Sequence, residues 1–366
     1  MKVKLGDIAT IQSGPFGTQL HKDEYADFGI PMLNAKNVGN GVVIMDSIDY
    51  VTPDVCKRLE KYVLRKGDII FGRAGSIERH TYISEKYDGC FQGTNCIRIR
   101  PHDLKTSMYI SYYLWLPSLK QIIENQAGGS ILNYITTDLL KEIVIDIPNE
   151  NALLNISSIL YSLDEKIENN NAINDNLQQV IKSCFDFMFA TRKPNGIISD
   201  ILQEHPKSTI QVNDSTGVFG DYPFFTSGEA INEWQSALVD GMNCYLSTGG
   251  NATIKGYYGK AAYSTDTWCV CGKGEYSFYL FCYLKSIIRS INDSFFAGSG
   301  LKHLQKDSLI LVNLYIPSEK ELEKFNSIVK PAMETMTKLF LETKKLKQQR
   351  DFLLPLLMNG QATIAE

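Results

Sequence analysis

The chain has 366 residues, 44% hydrophobic and 21% charged, with 37 Lys+Arg against 41 Asp+Glu for a formal charge of −4. That length is too great for one ordinary domain and calls for two or more cores, in a chain that reads as soluble and globular. No apolar run reaches membrane-spanning length, MKVKLGDIATIQSG turns polar too early for a signal peptide, and the eight cysteines, with no CxxC pair, fit reduced cytoplasmic thiols rather than disulfides or zinc.

Residues 1–150 form a mixed, strand-rich block with a net charge near −1. GIPMLNAKNV supplies an X-Pro entry and a short strand, KGDIIFGRAGSIERHTYI two strands around a Gly-rich turn, and YISYYLWLPS an aromatic helix. LNYITTDLLKEIVIDIP, residues 132–148, closes the block with a strand and a proline.

Residues 151–190 follow as one long helix. Steps of three and four connect Leu153, Ile156, Leu160, Leu163, Ile167, Asn170, Asn174, Leu177, Ile181, Cys184 and Met188. This is a heptad register, the pattern of a coiled-coil seam rather than of a helix lying on a globular core. Asn170 and Asn174 place amides in the seam, where polar residues fix register or orientation at some cost in stability.

Residues 191–318 repeat the block, again with a net charge near −1. DYPFFTSGEA, GMNCYLSTGGNATIKGYYGKAAY and FYLFCYLKS follow the same order of features, and LKHLQKDSLILVNLYIP, residues 301–317, closes it. A shift of 169 positions, with no gap, places Leu132 on Leu301, Ile135 on Leu304, Asp138 on Asp307, Leu140 on Leu309, Ile147 on Ile316 and Pro148 on Pro317. Residues 319–366 carry the second helix, whose seam under the same shift includes Leu322, Phe325, Val329, Ala332, Met336, Leu339, Thr343, Leu346, Arg350, Leu353 and Leu357. Pro331 should break or kink it. Leu353 and Leu357 are expected to be exposed in the absence of partners.

The two helices are expected to pair with each other, antiparallel if the two blocks are to lie at opposite ends of a rigid spacer. The fold class is therefore α+β: two β-rich mixed domains joined and separated by two long antiparallel coiled-coil helices, with an internal pseudo-two-fold repeat.

Motifs for catalysis are missing. There is no phosphate loop, no GxGxxG opening a helix, no HExxH and no nucleophile elbow. Asp164–Glu165–Lys166 has a nuclease-like spacing but lies on the heptad helix, where it reads as a solvated charged face. The chain reads as non-catalytic.

The Gly-rich turns offer another chemistry. In the first block they present Arg73, Ser76, Arg79, Gln92, Thr94 and Asn95. In the second they present Thr248, Asn251, Thr253, Lys255, Tyr257, Tyr258, Lys260, Thr267 and Trp268. Arg forks onto guanine and Asn or Gln onto adenine, while Ser, Thr and Lys mostly hold phosphates.

The segments KLGDIATIQSGPFG, KGDIIFGRAGSI with its counterpart CYLSTGGNATI, YPFFTSGEA, and the approaches to IVIDIP and VNLYIP followed by heptad helices make the chain similar to the specificity subunits of type I restriction-modification systems. The similarity covers essentially the whole chain. It implies two target-recognition domains, 1–150 and 191–318, each reading one half of an asymmetric bipartite site in double-stranded DNA. It further implies spacer helices at 151–190 and 319–366 that dock two modification (adenine methyltransferase) subunits. No cofactor is expected on this chain; S-adenosylmethionine, ATP and Mg are expected on modification and restriction/translocase partners in the cytoplasm, with no membrane involved. IPNENALLNI and IPSEKELEKF depart from the family's usual Pro-x-x-Glu-Gln run. A different class remains open, a coiled-coil scaffold whose β-rich domains bind protein or carbohydrate.

Overall fold

The computed structural model describes residues 1–74, 77–126, 134–298, 300 and 302–362. Leu132, Leu301 and Ser76 lie outside the described residues. The chain divides into two compact units, Met1–Glu165 with Lys347–Glu366, and Lys166–Leu346.

In the first unit, β1 (Lys2–Lys4) pairs antiparallel with β10 (Val144–Asp146), Val3 opposite Ile145. The short α1 (Leu5–Ile8) leads into β2 (Ala9–Ser13), an edge of a four-stranded antiparallel sheet. Its order is β2, β9 (Cys96–Pro101), β6 (Ile69–Gly72) and β7 (His80–Tyr82). A second sheet runs β3 (Tyr25–Ala26), β5 (Asp49–Val51), β4 (Ile30–Leu33) and β8 (Phe91–Gln92), with β4 and β8 parallel. Helices α2 (Pro53–Arg58), α3 (Leu104–Leu114), α4 (Pro117–Gln126) and α5 (Thr137–Glu142) complete the unit. The β6 run Ile69–Ile70–Phe71 is buried on both faces, which is why it reads as continuous rather than alternating apolar residues.

The second unit repeats this plan. β11 (Gly196–Ile197) pairs antiparallel with β21 (Asn313–Leu314), and α7 (Ile198–Ile201) leads into β12 (Leu202–Glu204). The four-stranded sheet runs β12, β18 (Thr267–Gly272), β15 (Met242–Ser247) and β16 (Ile254–Tyr258). Beside it lie β13 (Tyr222–Phe225), its hairpin mate β14 (Ile231–Trp234), and β17 (Ala262–Tyr263), parallel to β13. Helices α8 (Ser277–Ser286) and α9 (Ile288–Ser294), the two-residue pair β19 (Phe296–Ala297) and β20 (His303–Leu304), and α10 (Lys306–Leu309) follow. Position for position, β12 answers to β2, β18 to β9, β15 to β6 and β16 to β7.

Two helices of 40 residues each, α6 (Glu150–Phe189) and α11 (Glu319–Met358), run about 60 Å. Each opens with one of the two halves of a capping box. Asn149 Oδ1 accepts from Ala152 N at 2.9 Å after Pro148, and Glu321 accepts from Ser318 N at 3.0 Å and Ser318 Oγ at 2.8 Å after Pro317. The repeated proline thus ends a strand just before a capped helix.

Within the second unit α6 and α11 pair antiparallel, for Asn170 meets Thr343 while Phe185 packs on Phe325. The seam is a pure helix pair only in its middle. Leu153, Ile156 and Leu160 join the core of the first unit, and Ile181, Phe185 and Phe189 join that of the second with Phe325 and Val329. The expectation of one uninterrupted coiled coil is corrected accordingly: the ends of the register are wide enough to bury against sheets and aromatic helices.

Two further expectations fail. α11 passes through Pro331 without a break, because Val329, Ala332 and Met333 on the same stretch are buried in the core of the second unit and hold the turn against the loss of one amide donor. Leu357 is buried and Leu353 partly buried against the first unit's core, so neither lies bare; Phe352, 68% exposed, does.

Candidate nucleic-acid interface

In the first unit, the turns after β6 and before β9 meet at one end of the sheet. Arg73 N donates to Asn95 O at 2.8 Å, and Arg73 O accepts from Ile135 N at 3.0 Å, so Arg73, Thr94 and Asn95 are brought together. The Arg73 guanidinium lies 5.8 Å from the centroid of the Phe16 ring, which is 56% exposed. Asn95 is exposed, while Thr94, half-buried, hydrogen-bonds the Tyr25 hydroxyl.

Beneath these turns is a backbone-to-backbone contact. A Cβ at Gly14 would lie 2.0 Å from Gly93 O, so SGPFG and QGTN can approach only as glycines. A buried polar network supports the approach. Gln92, fully buried, donates from Nε2 to Gln12 O (2.9 Å) and Cys96 O (3.2 Å), and Arg98 donates to Gln12 Oε1 (2.6 Å) and Lys61 O (2.8 Å). Burial, helped by neighbouring Arg100, lowers the Arg98 pKa to about 10. Next to it Arg100 grips Asp68 with two bonds of 2.7 Å. Gln92 is therefore a brace within the turn rather than a donor offered to a base, a correction to its expected role. Arg79 is exposed beside Glu78, 3.6 Å away.

In the second unit the corresponding turns border a cavity of about 600 Å³. Thr248, Thr267 and Trp268 line it together with His205, Lys207, Ser227, Asp266, His303 and Lys306. Thr248 Oγ1 donates to Asp266 O at 2.8 Å, tying one turn to the other. Lys306 Nζ stands 4.9 Å from the Trp268 ring centroid and 3.0 Å from Glu204. Asn251 is exposed, with its carbonyl accepting from Ser247 Oγ at 2.8 Å.

Several expected contacts are placed elsewhere. Thr267 is buried and donates to Phe225 O at 3.1 Å, and Trp268 is 3% exposed, so each shapes the cavity wall rather than standing out from it. Tyr257 is buried against Phe225 and Phe340, with its hydroxyl pushed up to about 12 by burial. Tyr258 packs on Phe278, and its carbonyl accepts from Thr337 Oγ1 at 2.8 Å. Since Tyr258 pairs with Met242 at the start of β15, Tyr258 and the exposed Lys260 lie at the opposite end of the sheet from Thr248. Thr253 and Lys255 point into the β13–β14 turn: Thr253 Oγ1 donates to Ser227 O at 3.0 Å and Lys255 Nζ to Thr226 O at 3.1 Å.

Phe16, His205, Lys207, Asp266, His303 and Lys306 were missed by residue type alone. For His303 and Lys306 a signal existed, as both fall inside the repeated phrase. Among the described residues there is no cluster of metal-ligating side chains and no helix long and apolar enough to cross a membrane. All eight cysteines are free thiols. Asp164, the nuclease-like acid, is held by Arg350 Nη1 at 2.7 Å and Tyr112 OH at 2.6 Å.

Two copies of one β-rich unit, with common scaffolds and diverged polar turns, define a two-module recognition protein. Residues 1–179 match the family model described as the Type I restriction modification DNA specificity domain. The chain is 21% identical to the type I restriction enzyme MjaIX specificity subunit of Methanocaldococcus jannaschii, over 99% of this chain and 93% of the relative. It is 27% identical to the EcoDI specificity subunit of Escherichia coli, over 39% of this chain and 33% of that one. Its fold is similar to the crystal structure of the S subunit from M. genitalium, with a TM-score of 0.65 at 16% identity, covering 98% of this chain and 95% of that chain. Over its whole length the chain is thus similar to the specificity subunits of type I restriction-modification systems, with residues 1–179 matching that family's domain.

Proposed function

We propose that this subunit reads an asymmetric bipartite DNA site, one unit per half-site, with unread base pairs between the halves. The observation that carries this reading is the pair of matching sheets whose connecting turns have diverged, FGRAGSIERH in the first and STGGNATIKGYY in the second. Equal scaffolds with unequal turns are what independent reading of two unlike half-sites requires. In the first unit Arg73 and Asn95 offer base-edge donors, with Phe16 beside them. In the second, Lys207, His303 and Thr248 line the cavity, and Asn251 is exposed on the turn that follows Thr248.

The long helices serve as spacer and as the seat for two modification subunits, which supply S-adenosylmethionine-dependent adenine methylation. Restriction subunits supply ATP-driven, Mg-dependent translocation and cleavage. This chain itself carries no reaction, and the complex acts in the cytoplasm. The test is an exchange of residues 1–150 for those of a relative, followed by sequencing of methylated sites. One half-site should change and the other stay; a change in both halves overturns the modular reading.

A further inference from the structure

Lys255 turns its ammonium inward, to the hairpin between β13 and β14. Its Nζ donates to the carbonyls of Thr226 (3.1 Å), Gly228 and Ala230 (3.4 Å). Thr253 Oγ1 takes the Ser227 carbonyl at 3.0 Å, and Thr226 Oγ1 that of Ala230 at 2.7 Å. Four carbonyls of a five-residue turn are thus drawn to one side. The N–H groups of Ser227, Gly228, Glu229 and Ala230 have no hydrogen-bond partner among the described residues, and Gly228, Glu229 and Ala230 are exposed. Ser227 also lines the cavity shared by Thr248, Lys207 and His303, so the turn adjoins the recognition turns of its unit.

We propose that the Thr226–Ala230 turn is a phosphate seat for duplex DNA and that Lys255 is its positioning residue. A concavity of outward backbone N–H groups binds anions, and phosphate contacts of this kind set a protein's register on a duplex. Lys255 need not touch the DNA. By gathering the carbonyls on the inner side it leaves the donors facing out, and partial burial, which lowers its pKa, marks it as an interior cation rather than a surface one. Glu229 is the only ionisable side chain on the turn and opposes an anion there. The inference rests on the reading that this unit contacts DNA.

The test uses the full chain with its modification subunit and a duplex carrying the sequence that the wild-type complex methylates, with binding measured across a salt series. Gly228→Pro removes one N–H, whereas Gly228→Ala keeps it and meets open space. Gly228→Pro and Lys255→Met should each weaken binding about tenfold, on this duplex and on one of unrelated sequence alike, at unchanged methylated sequence. Gly228→Ala and Lys255→Arg should bind nearly as wild type, and Glu229→Gln a few-fold tighter. Wild-type binding by Gly228→Pro or Lys255→Met, a loss of affinity confined to the methylated sequence, or an altered target sequence in Glu229→Gln would overturn the seat. Should Gly228→Pro melt early, Lys255→Met decides. Failure of the wild-type complex to bind the duplex at all would instead overturn the DNA reading itself.

Discussion

Asn170 on α6 donates from Nδ2 to Thr343 Oγ1 on α11 at 3.3 Å, and to Glu342 Oε2 at 3.0 Å, in the middle of a largely apolar seam. Thr343 is the repeat counterpart of Asn174, so the two helices meet through polar positions drawn from both copies. Lys166 adds an ion pair to Glu342 at 2.5 Å. This polar layer fixes the register of the pair at some cost in stability. Asn170→Ala and Thr343→Ala should each destabilise the second unit, with a coupling of about 1 kcal/mol in a double-mutant cycle read from denaturant midpoints. Strict additivity would show that the hydrogen bond contributes nothing.

Gly14→Ala should be severe out of proportion to one methyl group. Its Cβ would sit 2.0 Å from Gly93 O, and the clash is with backbone rather than with a movable side chain. A loss of about 2–4 kcal/mol is expected, with the first half-site no longer recognised. Calorimetric melting and methylated-site sequencing check the two parts separately.

His80 gives the first unit an acid limit. It is fully buried, stacked on Phe71 and tilted against Trp115, with Nε2 at 2.9 Å from Ser111 O. Burial lowers its pKa from 6.5 to about 3. Because the folded value is depressed, the unfolded chain binds a proton first; stability is full above pH 6.5 and falls between 6.5 and 3. The loss at pH 5 should be about 2 kcal/mol relative to pH 8. His80→Gln should flatten this part of the curve; an equally steep fall in that variant would assign the acid sensitivity elsewhere.

Inserting seven residues between Asn170 and Leu177 keeps the helix face but lengthens α6 by about 10 Å. The methylated sequence should gain unread base pairs, or assembly with the modification subunit should fail. An unchanged sequence with full activity would show that α6 does not set the spacing.

Much of the fold was legible because duplication wrote it twice. The heptad run, the Pro-then-cap entry and the aromatic helices α3 and α8 depend on local spacing, which sequence displays directly. The ends of the seam do not show in the sequence because Leu153 joins the first unit's core and Phe189 packs on Tyr279, Tyr315 and Phe325, all brought to them by distant chain, and no local period records that. Arg73, Thr94, Asn95, Thr248 and Asn251 do lie on turns, but Gln92, Lys255, Tyr257, Tyr258, Thr267 and Trp268 lie on strands, and the sequence does not tell which side chains leave the surface. Gln92 and Lys255 look like ready donors in one dimension. Backbone carbonyls 80 and 29 residues away, on β2 and on the turn after β13, claim them. Pro331 misled for the same reason, since the core contacts that tolerate it are tertiary.

The pairing of β1 with β10, and of β11 with β21, has a consequence for how such proteins change over generations. Met1 N lies 2.6 Å from Ile147 O, and Ile316 N lies 2.6 Å from Asn195 Oδ1, so each module begins and ends at one hydrogen-bonded neck. A foreign cassette of different length can be spliced in by recombination at two adjacent joints, leaving the outgoing helix untouched. The present copies already differ in this way: Val3 and Gly196, which occupy the same place in the neck, are 193 positions apart, whereas their partners Ile145 and Leu314 are 169 apart. Two dozen residues have been gained or lost inside a module without disturbing its closure.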